Sequence, residues 1–314
     1  IIVMATDKAA GETIEIILNP FDSASGLQID WGDGNTAKAM TGNSAITGVL
    51  PVNQATIRIY GDAESIQVFR CPGIGLTRLE IGELIKLEEL WCDDNKLTVL
   101  ELGKLKKLKE MGCQKNKITS LDISMLSELT RINCFENELT ALDVSKNPLL
   151  ERLDCSDNKL TGLILKGAIS LDKLTFDGNL LTQIDLSGLA NVSTLHCENN
   201  RFTRLDLSPL TGVGIIYCGE NPLLTEITVD AMQSLKSLYI PQCPALKVLN
   251  VSDCPKLARL ECPGGGIEQL VIDQPPVLKT VVCNGNRLTF ATLPDRRFAT
   301  KYVYSPQQPM QMPV

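Results

Sequence analysis

Leu129-Thr-Arg-Ile132-Asn-Cys134-Phe-Glu-Asn137-Glu-Leu139-Thr-Ala-Leu142-Asp-Val144-Ser decides how this chain folds. In Ile132-Asn-Cys134 two apolar residues flank one polar residue, the alternation of a strand with one buried face. The alternation returns in Leu142-Asp-Val144. Working outward, Cys71, Cys92, Cys113, Cys134 and Cys155 stand 21 residues apart. Further steps of 21 or 22 residues reach Phe176, Cys197, Cys218, Ile240, Cys262 and Cys283. Apolar residues precede each of these by two and by five positions. Three positions after them stand Asn95, Asn116, Asn137, Asn158, Asn179, Asn200, Asn221 and Asn286, with Ile74, Cys243 and Gly265 as exceptions.

The unit has two strand-like halves, so a coil of 21 residues has no room for a full helix. One coil cannot bury its own leucines, but coils stacked about 4.8 Å apart share a continuous core. Composition follows the repeat. Residues 1–62 hold 3 Leu, residues 63–293 hold 43, and residues 294–314 hold none. The 314 residues carry a net charge of −7, which argues against a nucleic-acid partner, because phosphate neutralisation needs a basic footprint. No apolar run is long enough to span a membrane.

The repeated pattern L-x-x-L-x-C-x-x-N-x-L resembles the leucine-rich repeat family over residues 63–293. With its second L-x-x-L-x-L half, as in Leu139-Thr-Ala-Leu142-Asp-Val144, it is similar to the 21-residue bimodular subclass of bacterial proteins. The resemblance implies a solenoid of eleven coils, with short parallel strands on one side, extended or 3₁₀ segments on the convex side, and little helix. It also implies a bacterial protein exported to the cell surface or secreted, with a role in adhesion or binding, its signal and anchor outside these residues.

A C-x-x-C pair is absent, and cysteines 21 residues apart do not have zinc-ligand spacing. Phe176 and Ile240 share the cysteine column, so the column reads as hydrophobic core. Asn suits the corner after each strand, where its amide donates and accepts and its backbone tolerates left-handed angles. The Asn column is therefore expected to be a structural ladder.

Residues 1–62 alternate as strands, and Ile29-Asp-Trp-Gly-Asp-Gly34 resembles the W-G-D-G signature of PKD-like, immunoglobulin-type domains. The resemblance implies a small all-β sandwich that caps the first coil. Asp30 and Asp33 are too few oxygen ligands for calcium and read as solvated acids beside a turn. Residues 294–314, rich in Pro and Gln, are expected to form a C-terminal cap or linker tail.

Columns that recur are framework, and columns that vary are free for recognition. The position between the strand leucine and the cysteine varies most and faces outward on the expected concave strand face. There His196, Tyr217 and Tyr239 are consecutive; Trp91 of the same column, and Phe135 one residue past Cys134, sit near the other end. A neighbouring column passes from acidic to basic through Arg131 and Arg152. Exposed aromatics with mixed charge suit a protein partner, with a cell-surface glycan as the alternative. Phosphate loops, nucleophile elbows and zinc-protease motifs are absent, and the chain holds a single His. The expectation is a monomeric, non-enzymatic binding module with no cofactor and no metal.

Overall fold

The computed structural model describes residues 1–20, 26–38, 45–61, 65–82, 84–273, 275–289 and 299–308. The expected domain boundaries at 62/63 and 293/294 lie outside the described residues. The chain divides into two compact units, Ile1–Leu160 and Thr161–Val314.

In the first unit, Ile2–Thr6 pairs antiparallel with Thr56–Tyr60 and with Leu76–Glu80, and Gln28–Asp30 joins Thr56–Tyr60 to Thr36–Lys38. A second antiparallel group sets Thr13–Pro20 between Ala45–Val49 and Ile66–Arg70. Alternate residues of these strands, among them Ile2, Met4, Ile16, Leu18, Ile29, Ile57 and Ile59, are fully buried. Ile66–Arg70 faces two ways. One edge meets Thr13–Pro20 antiparallel, and the other meets Glu89–Trp91 parallel. From Glu89–Trp91 the parallel ladder continues through Glu110–Gly112 and Arg131–Asn133 to Arg152–Asp154, in constant register. The first coil thus has no open strand edge, which removes a site of unwanted edge pairing.

In the second unit Lys173–Thr175, Thr194–His196, Ile215–Tyr217, Ser237–Tyr239, Arg259–Glu261 and Thr280–Val282 follow the same parallel order. Lys301–Val303 adds a further strand to Thr280–Val282. Residues 301–303 of the expected cap or tail therefore continue the ladder by one more coil. On the opposite side of the coils lie short paired strands, such as Arg204–Asp206 with Glu226–Thr228 and Val248–Asn250 with Gln269–Val271.

Among the described residues there is no α-helix. Single turns link the half-repeats. The N–H of Leu87 donates to the carbonyl of Leu84 at 3.0 Å, and that of Leu108 to Leu105 at 2.9 Å. All eleven cysteines are buried, and none forms a disulfide. The apolar residues two positions before the cysteines of the strand column, such as Phe69, Leu90, Met111 and Ile132, are buried too, so each of these strands turns two side chains into the core and one out. Burial contributes roughly 1.5–3 kcal/mol for each such large apolar side chain.

Candidate functional site

In-register parallel strands place equivalent side chains one above another at the strand spacing. The outward column of the second unit shows the consequence. His196, Tyr217 and Tyr239 are partners in register. The imidazole stacks on Tyr217 with centroids 4.3 Å apart and planes 14° apart, and Tyr217 stacks on Tyr239 at 4.4 Å and 5°. The guanidinium of Arg259 lies 5.9 Å from the Tyr239 ring centroid and donates to its hydroxyl at 3.4 Å. Glu261 holds the same guanidinium through a 3.0 Å ion pair. All three rings are half-buried. Stacking covers both faces of Tyr217 and one face each of His196 and Tyr239. Desolvation, followed by the neighbouring Tyr239, pushes the Tyr217 hydroxyl above its ordinary pKa.

At the His196 end of the stack stand Asp177 and Glu198. Asp177 Oδ1 accepts the Glu198 N–H at 2.6 Å, and Asp177 Oδ2 lies 3.8 Å from His196 Nδ1. Burial raises the Glu198 carboxyl, and the charges of Asp177 and Glu220 raise it further. The sequence reading passed over Asp177 and Arg259. Asp177 stands 21 residues before Glu198, one position past the Phe176/Cys197 column. Reading that column beside the outward one brings the three groups together. Arg259 belongs to the column of Arg131 and Arg152, followed further along the chain.

The first unit carries the other candidates. Trp91 lies across Gly112 of the next coil, so close that a Cβ there would stand 2.3 Å from the indole. Arg131 and Arg70 place guanidinium groups 5.5 and 6.0 Å from the indole centroid. Arg70 is paired with Glu89 at 2.7 Å, and Arg131 stands 3.9 Å from Glu110. Arg152 is exposed and in register with Arg131, so two like charges sit side by side. Phe135 is half-buried one residue past Cys134, and its carbonyl accepts the N–H of Lys115 at 3.0 Å. Trp91 is therefore brought together with arginines, whereas the aromatic trio is a separate group in the second unit.

The Asn column is buried. Asn137 Oδ1 accepts the N–H of Ile118 at 3.0 Å, and its Nδ2 donates to the carbonyls of Cys113, Cys134 and Phe135 at 3.0–3.3 Å. Asn95, Asn116 and Asn158 repeat this pattern. Asn200 and Asn286 do so in the second unit, while Asn179 donates to Phe176 and Asp177. Asn221 differs in accepting from the Asn200 N–H. Gln307 stands in for the next Asn. It accepts from Leu288 N–H at 3.3 Å and donates to Cys283 at 3.1 Å. At the exceptions, Cys243 brings only a thiol 4.0 Å from the Cys218 carbonyl. Gly265 leaves space that Asn286 Oδ1 needs, since a Cβ would approach it to 2.8 Å.

Two expectations are corrected. The left-handed corner falls one residue before the Asn, at Gly73, Asp94, Lys115, Glu136, Asp157, Gly178, Asn199, Glu220, Gln242, Gly264 and Gly285, with φ from 50° to 70°. The amide column instead needs the ordinary backbone that aims Nδ2 at carbonyls of two coils. Asp30 is not a solvated acid. It is buried and accepts the N–H groups of Gly32 and Gly34 at 2.7 and 3.0 Å, so its charge organises the W-G-D-G turn.

No family model matches this sequence, and no curated protein does. Solved structures do. An internalin (inlF) from Listeria monocytogenes aligns with a TM-score of 0.57 at 21% identity, over 75% of this chain and 79% of that one. The leucine-rich repeat domain of APL1B aligns at 0.53 and 19% identity, over 67% of this chain and 74% of that one. The LRIM1/APL1C complex aligns at 0.56 and 21% identity, over 66% of this chain and 40% of that one. The likeness is one of fold: the chain is a leucine-rich repeat solenoid.

Proposed function

We propose that this chain is the recognition part of a secreted or cell-surface bacterial adhesion protein. It binds a protein partner through the outward residues of its concave strand face, acts as a monomer, and performs no catalysis. In this reading residues 1–62 are a PKD-like, immunoglobulin-type cap. Residues 63–293 are eleven coils of the 21-residue bimodular type, and residues 294–314 close the far end.

One observation carries the choice of partner. A glycan-binding platform offers a flat ring face to the sugar, but Tyr217 is stacked on both faces, by His196 and Tyr239, and Arg259 lies against Tyr239. What remains outward are positive ring edges, hydroxyl groups and the Arg259–Glu261 pair, which match the carbonyls and charged side chains of a protein. The likeness to the LRIM1/APL1C complex, itself an assembly of proteins, is in keeping with this.

The test uses the chain and its Tyr217→Ala/Tyr239→Ala variant, matched by thermal melt, against a displayed protein library and a glycan array. A protein ligand selected by the chain and lost by the variant is expected. Glycan signals that the variant loses, with no protein ligand sensitive to it, would overturn the reading.

A further inference from the structure

We propose that Asp177, His196 and Glu198 form a binding site for one divalent cation of the zinc class. The inference is independent of any protein partner. One ligand atom from each residue lies within 4.8 Å of the other two, and all three residues are half-buried. They come from successive coils, Asp177 two residues past the strand Lys173–Thr175, His196 at the end of the strand Thr194–His196, and Glu198 two residues past it.

Two of the three ligands are held in place by contacts that have nothing to do with an ion. Stacking on Tyr217 fixes the plane of the imidazole. The hydrogen bond from the Glu198 N–H fixes one oxygen of Asp177 and leaves the other turned towards His196. Preorganisation of this kind reduces the ordering that binding must otherwise impose. Ligand atoms bound to a tetrahedral ion at about 2.1 Å lie about 3.4 Å apart. The His196–Asp177 separation of 3.8 Å needs only a small side-chain rotation to reach that geometry.

The donor set selects the ion. Calcium and magnesium prefer all-oxygen shells, whereas imidazole nitrogen suits zinc, nickel, copper and cobalt. Two carboxylates and one neutral imidazole neutralise a divalent charge, and three protein ligands leave a fourth position for water. The eleven cysteines do not compete, because they are buried in the core.

The experiment is a calorimetric titration of the untagged, reduced chain with zinc, repeated with cobalt while its visible spectrum is recorded. One saturable site is expected. His196→Ala and Glu198→Gln should each weaken it by at least the roughly 10-fold that loss of an outer-shell partner already costs. Zinc should raise the melting temperature of the chain but not of His196→Ala. Asp177→Asn keeps an acceptor for the Glu198 N–H, so a loss of binding there reports on the ion and not on the fold. Absence of a saturable site would overturn the proposal. So would affinity unchanged in all three variants, or a cobalt–thiolate charge-transfer band that assigns the ion to cysteine.

Discussion

Replacing Asn137 by Ala tests the amide column most directly. The side chain is 7% exposed and satisfies one backbone N–H and three carbonyls. Alanine strands the Ile118 N–H of the preceding coil, while the carbonyls of Cys113, Cys134 and Phe135 each keep another donor, Asn116, Asn158 and the Lys115 N–H respectively. A buried group left without a partner costs about 1–3 kcal/mol. One such group sets a range of about 1–3 kcal/mol, and a water entering the vacated space lowers it towards about 1 kcal/mol. A repeat array need not unfold in one step, so a single global midpoint is a weak readout. Amide hydrogen exchange at Ile118 is the sharper assay, because that N–H loses its acceptor and should exchange markedly faster. A urea midpoint should fall in parallel. Unchanged protection at Ile118, with an unchanged midpoint, would refute the argument that the amide ties one coil to the next.

Three further outcomes follow from the same coordinates. Lys115 adopts φ 56°, so Lys115→Val should lower stability by up to about 1–2 kcal/mol, because a side chain branched at Cβ is more strained than lysine when held left-handed, while Lys115→Gly is tolerated; equal urea midpoints for the two would count against it. Burial pushes the Cys113 thiol up to about 12 and those of Cys243 and Cys283 to about 11. The folded state keeps these protons while the unfolded thiols lose theirs above about 9, so stability is intact below that pH and falls by up to about 1.4 kcal/mol per unit and thiol above it. Urea midpoints at successive alkaline pH values check the slope. Gly112→Ala should push the Trp91 indole off the strand face and shift its fluorescence to the red with little change in the melt; an unshifted spectrum would mean that the indole does not rest there.

The fold was legible because its signal is repeated. Each coil spells the same inward pair, as in Ile132-Asn-Cys134, and the accumulated register leaves no freedom in how the strands align. What escaped reading is what repetition does not encode. The left-handed corner accepts Asp, Lys, Glu, Gly, Asn and Gln in different coils, so that column looks unconstrained although its backbone is the most restricted in the unit. Asp30 reads as polar surface until the turn folds back and encloses its carboxylate. The strand Lys301–Val303 hides because Tyr304 and Gln307 stand where Cys and Asn would be expected. In the candidate site, His196, Tyr217 and Tyr239 are visible from spacing alone. Asp177 needs the adjoining column as well, since its approach to His196 depends on how the chain leaves the strand.

These differences separate what holds the coils from what is free to change. Core positions are bound by burial, each worth roughly 1.5–3 kcal/mol, and the corner amides by backbone N–H groups, such as that of Ile118, that depend on them for an acceptor. An aromatic pair on the outward column adds only about 0.5–1.5 kcal/mol beyond its buried area. In a solenoid each coil answers only to its neighbours, so a change on the outward column stays local and leaves the core register intact. Folding therefore makes weak demands on the His196–Tyr217–Tyr239 column. The ring stack, the arginine against it and the carboxylates beside His196 stand on coils that other residues already hold. A substitution there that abolishes binding while leaving the melt in place separates recognition from architecture, which a site built into the core could not do.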